Sequence, residues 1–425
     1  MNRRKFINMS AIAAGSTMVI GVNSGMFAQT KKSDFTNVNN LHSMTEDVKP
    51  ITLEERKNRI YKAQQLMQQE NIDCLLLDSG TSMKYFTGIS WGASERPMIV
   101  VIPSKGDIRY ICPAFEEPRL RELIVFGHHI YTWQEDESPF KQAALAINDA
   151  GISSGNIGVE ERMRFFIFNG IHKEIPQLNL VSGDPITIPC RMIKSNAEIA
   201  LMQKATDITL KAIAFGFASL KEGSTPSDFS NAVAMAHQNL GARHQFAGCN
   251  FAEASAFPHG STTQQILKKG DIVLVDCGCT VEGYQSDISR TIVYDATPTK
   301  RQVDFWNLEK RAQAAGFKAA QLGTPLKNVD EAARKVLTDA GFGPEYKLPG
   351  LPHRTGHGIG MDGHEWGNAI KGNNELLVPG MCFSIEPNIS IVGEFGIRLE
   401  DCVYMTSEGP QWFSQPSPSI DRPFV

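Results

Sequence analysis

Apolar and polar positions divide the chain into a short apolar start, a polar stretch and two long regions of regular elements. A mild apolar run over residues 12–22 gives way to a polar, aperiodic stretch over residues 29–50, which reads as a linker. At Thr52 the order Thr-Leu-Glu-Glu has the form of a capping box, and Ile60, Ala63, Leu66 and Met67 then recur at helical spacing. Compact apolar runs follow at residues 74–78, 98–103, 108–111 and 156–160 and predict sheet strands, so that residues 51–190 form an α/β domain. A second capping box, Ser195-Asn196-Ala197-Glu198, opens a long helix with Ile199, Met202, Ala205, Ile213 and Phe217 on its apolar side, and with it a second domain, residues 191–425.

From there the pattern repeats. Residues 220–242 and 320–343 each give a glycine, a Thr-Pro helix start, one amphipathic helix and a glycine stop. "LKKGDIVLVD" ends on Asp276 six residues after Gly270, and "LVPGMCFSIE" ends on Glu386 six residues after Gly380. Each apolar strand is predicted to stop at its acid and turn back, through "EGYQSD" to Asp287 and through "VGEFGIRLE" to Glu400. "FPHG" (257–260) and "LPHR" (351–354) match as well. Two hairpins related by an internal duplication would bring four carboxylates together.

Four acids in an interior repel one another and cost several kcal/mol per ion unless a cation lies between them, which metal ions supply. "HRTGHGIGMDGHE" offers the next donor, His357, among glycines that let backbone approach closely. Four carboxylates and one imidazole favour manganese first, with cobalt, zinc or iron as alternatives, over copper or a thiolate zinc site.

Composition narrows the partners. A net charge of −4 with scattered basic residues gives no face for nucleic acid and no polybasic membrane patch. Arg3, Arg4 and Lys5 ahead of an apolar run too short to span a bilayer predict an export signal of twin-arginine type over residues 1–28, hence a periplasmic protein with no membrane span after the signal is removed. Eight cysteines show no disulfide framework, and Cys277 and Cys279, lacking a second pair, read as small core residues. The remaining second-half cysteines and Trp366 read as packing residues.

"VDCGCTVEGYQSDISRT", "GHGIG…HE", "SIEPNI" and "IRLED" together resemble the pita-bread metallopeptidases, the group of methionine aminopeptidase, aminopeptidase P, prolidase and creatinase. The likeness is strong over residues 190–405, and the preceding α/β domain is similar to that of the aminopeptidase P, prolidase and creatinase branch. It implies an α/β N-terminal domain followed by an α+β pita-bread catalytic domain with internal pseudo-twofold duplication. It also implies two divalent metal ions, Asp276 holding one, His357 and Glu386 the other, and Asp287 and Glu400 bridging them, with a hydroxide between as nucleophile. By the same resemblance Glu386 moves the proton, His259 and His364 contact the substrate and steady the tetrahedral intermediate, His353 lines the substrate pocket, and Arg398 supports the site from beside Glu400. A homodimer or higher homo-oligomer is a further implication.

All five ligand types are present, which sets the chain apart from creatinase and from metal-free binding paralogs, and the N-terminal domain and export signal set it apart from methionine aminopeptidase. The reading that remains is hydrolysis of the Xaa-Pro bond in a small peptide with proline second, by an aminopeptidase P or a dipeptidase. "HEWGN" (364–368) departs from the commonest pattern, since Trp366 and Asn368 stand where many relatives carry proline. That leaves room for a metal-dependent hydrolase or lyase of a small non-peptide metabolite, with a non-catalytic binding protein as a third reading.

Overall fold

The structure is a computed structural model and describes residues 40–425; the expected signal and the first part of the linker lie outside the described residues. Residues 40–50, expected as linker, lie against the second domain. Leu41, Met44 and Val48 pack on its core, and the Met44 amide donates to the Leu240 carbonyl at 2.9 Å. No described helix is long and apolar enough to cross a membrane.

The first domain runs α1 (Leu53–Gln69), β1 (Cys74–Asp78), α2 (Thr81–Thr87), β2 (Ile99–Pro103), β3 (Arg109–Pro113), α3 (Glu117–Leu123), β4 (His129–Trp133), α4 (Pro139–Asn148), β5 (Asn156–Val159), α5 (Phe165–Glu174), β6 (Asn179–Ser182) and α6 (Asp184–Met192). Its six-stranded mixed sheet has the order β4-β3-β2-β1-β5-β6. The central strand β1 is buried along its whole length because helices cover both faces. Leu75 and Leu77 face Ala63 and Met67 of α1, whereas Cys74 and Leu76 face Ala143 and Ile147 of α4 and Ile167 of α5. Thr52 caps α1 by accepting from the Glu55 amide at 3.1 Å, but the reciprocal half of the box is not made. Glu55 turns instead to Arg59 (2.9 Å) and to the Ser195 hydroxyl (2.7 Å), a stronger use for a partly buried carboxylate.

The second domain opens with α7 (Asn196–Ser219), which carries the complete Ser195–Glu198 box, then α8 (Pro226–Asn239), β7 (Arg243–Phe251), β8 (Ile272–Val281), β9 (Tyr284–Gln285) and β10 (Ile288–Val293). The second half repeats this as α9 (Lys300–Ala319), α10 (Lys327–Asp339), β11 (Gly356–Gly358), β12 (Glu365–Ala369), β13 (Cys382–Ile385), β14 (Asn388–Ile391), β15 (Phe395–Arg398), β16 (Asp401–Thr406) and β17 (Gly409–Trp412). The domain's two larger sheets have the orders β10-β8-β7, with β9 paired to β8, and β12-β11-β13-β16-β17, while β14 pairs with β15 alone. They meet where Ser289 bridges Glu400. Beneath that seam the buried Arg290 donates to Asp401 (2.7 Å) and to the Glu400 (2.8 Å) and Pro423 (3.1 Å) carbonyls, tying first half to second.

Two expectations change. The strand through Asp276 does not stop there: β8 runs five residues further, to Val281, and reverses at Glu282 and Gly283, whose φ values of 52° and 91° suit a tight hairpin turn. The Thr-Pro start holds in the first copy, where Thr225 caps α8. In the second copy α10 begins only at Lys327, and the Thr324 hydroxyl donates back to the Gln321 carbonyl.

Candidate metal centre

Asp276 sits in the middle of β8, opposite Gly248 of β7 and Ser289 of β10. Asp287 precedes β10, Glu386 follows β13, Glu400 precedes β16 and His357 is the central residue of β11. Thus each of the five expected donors stands on or beside a strand of one of the two sheets. Their donor atoms fall into overlapping groups, His357 with Glu386 and Glu400, and Asp276 with Asp287 and Glu400, each within 4.8 Å.

Local chemistry sets the orientation of each donor. The flanking glycines of His357 are sterically required: a Cβ on Gly356 would lie 1.9 Å from the Ser384 carbonyl oxygen, and one on Gly358 would lie 1.6 Å from that of Trp366. His357 Nδ1 donates to the Gly358 carbonyl at 3.0 Å, so Nε2 keeps its lone pair and faces Glu386 (3.3 Å), Asp287 (3.6 Å) and Glu400 (3.9 Å). Burial holds this imidazole neutral, with its pKa pushed down to about 4. The Ser289 hydroxyl donates to Glu400 at 2.6 Å and the Ser384 hydroxyl to Glu386 at 3.2 Å. Arg398 donates to Asp276 at 2.5 Å and to Ser289 at 2.8 Å, so it braces Asp276 directly and Glu400 through Ser289.

The centre carries more negative charge than these donors neutralise. Burial, and then Glu400, Asp276 and Glu386, hold the Asp287 carboxyl well above its ordinary range. Burial and the neighbouring Glu386 and Asp276 do the same to Glu400, and burial raises Glu386. Asp276 Oδ1, Asp287 Oδ1 and Glu400 Oε1 are buried with no hydrogen-bond donor. Three orphaned carboxylate oxygens, of which Glu400 Oε1 lies 3.9 Å from the imidazole lone pair, fit divalent cations, because a cation satisfies oxygens that no donor reaches.

A carboxyl that holds its proton in the folded chain and releases it in the unfolded one adds stability that is fully present below the ordinary carboxylate range. That stability is lost as pH rises through the raised folded value. Protons therefore compete with the cation. The rise in Tm on adding manganese to chelator-treated protein should be largest near pH 8 and shrink towards about pH 5. Melts across that range check it, and a rise independent of pH would mean that these carboxyl groups do not receive the ion.

The expected substrate-facing histidines lie at unequal distances from the cluster. His364 stacks on His357 with ring centroids 3.9 Å apart, and its Nδ1 accepts from Arg354 at 2.7 Å, which leaves the proton on Nε2. His353 donates from Nδ1 to the Arg354 carbonyl at 2.7 Å, while its buried Nε2 has no partner. His259 is not brought into the cluster. It is exposed and lines a cavity of about 570 Å³ with Gly248, the residue opposite Asp276. All eight cysteines are free and buried, Cys277 and Cys279 within the core. Trp366 does more than pack, since its Nε1 donates to Glu161 of the first domain at 3.1 Å. Sequence reasoning missed Ser289, Ser384 and Arg354. Only register could have found the first, which bridges Glu400 from another strand.

The pattern of metallopeptidase family M24 matches residues 200–407, and the creatinase/prolidase N-terminal domain matches residues 59–193. An uncharacterized peptidase of Schizosaccharomyces pombe is 33% identical over 83% of this chain and 80% of its own length. The chain belongs to metallopeptidase family M24. The structure of a prolidase from Thermococcus sibiricus superposes on this family M24 peptidase with a TM-score of 0.78 at 29% identity, covering 87% of this chain and 98% of the prolidase. A Xaa-Pro dipeptidase from Bacillus anthracis gives 0.76 at 26%, covering 86% and 98%. The architecture expected from sequence, a creatinase-type α/β domain and a pita-bread domain, is therefore the one found.

Proposed function

We propose that this family M24 peptidase is a dinuclear metal-dependent exopeptidase that hydrolyses the Xaa-Pro bond of small peptides. The observation that carries the reading is the convergence of Asp276, Asp287, His357, Glu386 and Glu400, three of whose oxygens lack a donor, within a fold like that of a prolidase and a Xaa-Pro dipeptidase.

Asp276 would hold one ion, His357 and Glu386 the other, and Asp287 and Glu400 would be shared between them. When bound, such ions supply Lewis acidity and lower the pKa of water, so that a nucleophile exists at neutral pH without serine or cysteine. Glu386 is raised by burial and receives only the Ser384 hydroxyl. It suits a group that takes a proton from the attacking water and returns it to the leaving nitrogen. His364 presents Nε2–H as a donor to the carbonyl oxygen as that oxygen gains charge. His353 lines the pocket with a free Nε2, and His259 contacts substrate from its exposed loop. Arg398 fixes Asp276 and, through Ser289, Glu400. Export by the signal expected over residues 1–28, and with it a periplasmic site of action, belongs to the same reading.

The test uses residues 29–425, purified without chelator and supplied with manganese, against a Xaa-Pro dipeptide and a Xaa-Pro-Xaa tripeptide. Release of the N-terminal residue from at least one is expected. Cleavage of the tripeptide assigns an aminopeptidase P and cleavage of the dipeptide alone a prolidase. Turnover of neither by protein holding about two ions replaces the peptidase with the small-metabolite hydrolase.

A further inference from the structure

His364 lies on the turn between β11 and β12, and this turn is fastened to the first domain rather than only to its own. Asp362 accepts from three side chains: Thr81 Oγ1 at 2.7 Å on one oxygen, and Arg162 and Arg191 at 2.7 Å each on the other. The buried Glu365 accepts from Arg191 at 2.6 Å and Lys194 at 2.9 Å, and from the amides of Met361 and Asp362 at 3.1 Å. Arg162 also points a second nitrogen at the His364 carbonyl, at 3.4 Å.

From this geometry we infer that Arg162, in the first domain, is a positioning residue for His364, acting through Asp362 across the domain boundary. The inference rests on the reading of His364 as a group that contacts substrate.

Arg162 is mounted rigidly. Two residues before it the Glu160 amide donates to the Leu76 carbonyl at 3.2 Å, and two residues after it Arg164 grips Asp78 with two bonds of 2.7 and 2.9 Å. Its own side chain is 51% exposed, whereas Arg191 and Lys194 are buried. The distinction matters for a test. Removing Arg191 or Lys194 takes one of two cations from the buried Glu365 and endangers the fold. Removing Arg162 leaves Asp362 paired with Arg191 and Thr81, and a half-exposed pair contributes little to stability. Arg162 therefore governs where the turn sits more than whether the protein folds. A shift of about 1 Å in a group that meets the transition state can cost on the order of 10²-fold in rate.

In Arg162→Ala, hydrogen exchange should quicken at Met361, Asp362 and Trp366 and stay unchanged elsewhere, with or without manganese, at unchanged Tm and metal content. On the Xaa-Pro peptide that is turned over, kcat should fall on the order of 10-fold to 10²-fold with KM little changed. Arg162→Lys should recover part of the loss, and adding Arg162→Ala to Asp362→Asn should cost nothing further. Unchanged exchange in the turn overturns the inference whatever the substrate proves to be, and so does faster exchange with unchanged kcat. A wild-type enzyme that cleaves neither peptide sinks the substrate reading, and exchange in the turn then decides this one alone.

Discussion

Replacing Asp287 by asparagine is expected to abolish turnover and lower metal content while leaving the fold intact. The side chain keeps its shape, and what it loses is one negative oxygen in a cluster where Asp287 Oδ1 already has no donor. Asp287 falls in a group with Asp276 and Glu400, and in another with His357 and His364, so on the proposed reading the substitution removes a ligand shared by two ions. The metal-free variant should melt no lower than metal-free wild type, because the substitution relieves repulsion from Glu400, Asp276 and Glu386. The gain in Tm on adding manganese should shrink. Metal analysis, peptide assay and paired melts check the three parts. Full activity in the variant would overturn the dinuclear assignment.

His364→Ala should separate chemistry from metal binding. His364 shares a potential ligand group with Asp287 and His357, so its position alone permits either role. Two observations support the proposed substrate contact: its Nδ1 is engaged by Arg354, and its side chain is exposed where His357 is buried. The variant should keep its full complement of metal and lose on the order of 10² to 10³ in kcat, the cost of removing one donor to a developing oxyanion. Loss of an ion instead would make His364 a ligand and shift the substrate contact to His353.

The same contrast explains what could be read without coordinates. The Ser195 cap was legible because it is local: Ser195 and Glu198 are three residues apart, and their box is complete. The end of a strand was less so. Nothing in the run 272–281 marks Asp276 as the middle of β8, because Cys277, Cys279 and Val281 continue into the core and Gly278 passes within 2.4 Å (from an added Cβ) of the Ser286 carbonyl. The five donors were legible only jointly, from two matching hairpins and a glycine-flanked histidine. Contacts between domains were not legible at all. Arg162 and Asp362 are 200 residues apart, and each alone is an ordinary surface charge.

The donors run from Asp276 in the first half to Glu400 in the second, and Arg290 fastens the seam only when Asp401 and the Pro423 carbonyl have arrived. No nascent fragment ending before Glu400 holds the complete set. On the proposed reading an ion finds its full set of donors only after the last strands dock, and a chain exported already folded by the expected twin-arginine signal would carry a cytoplasmic ion outward with it.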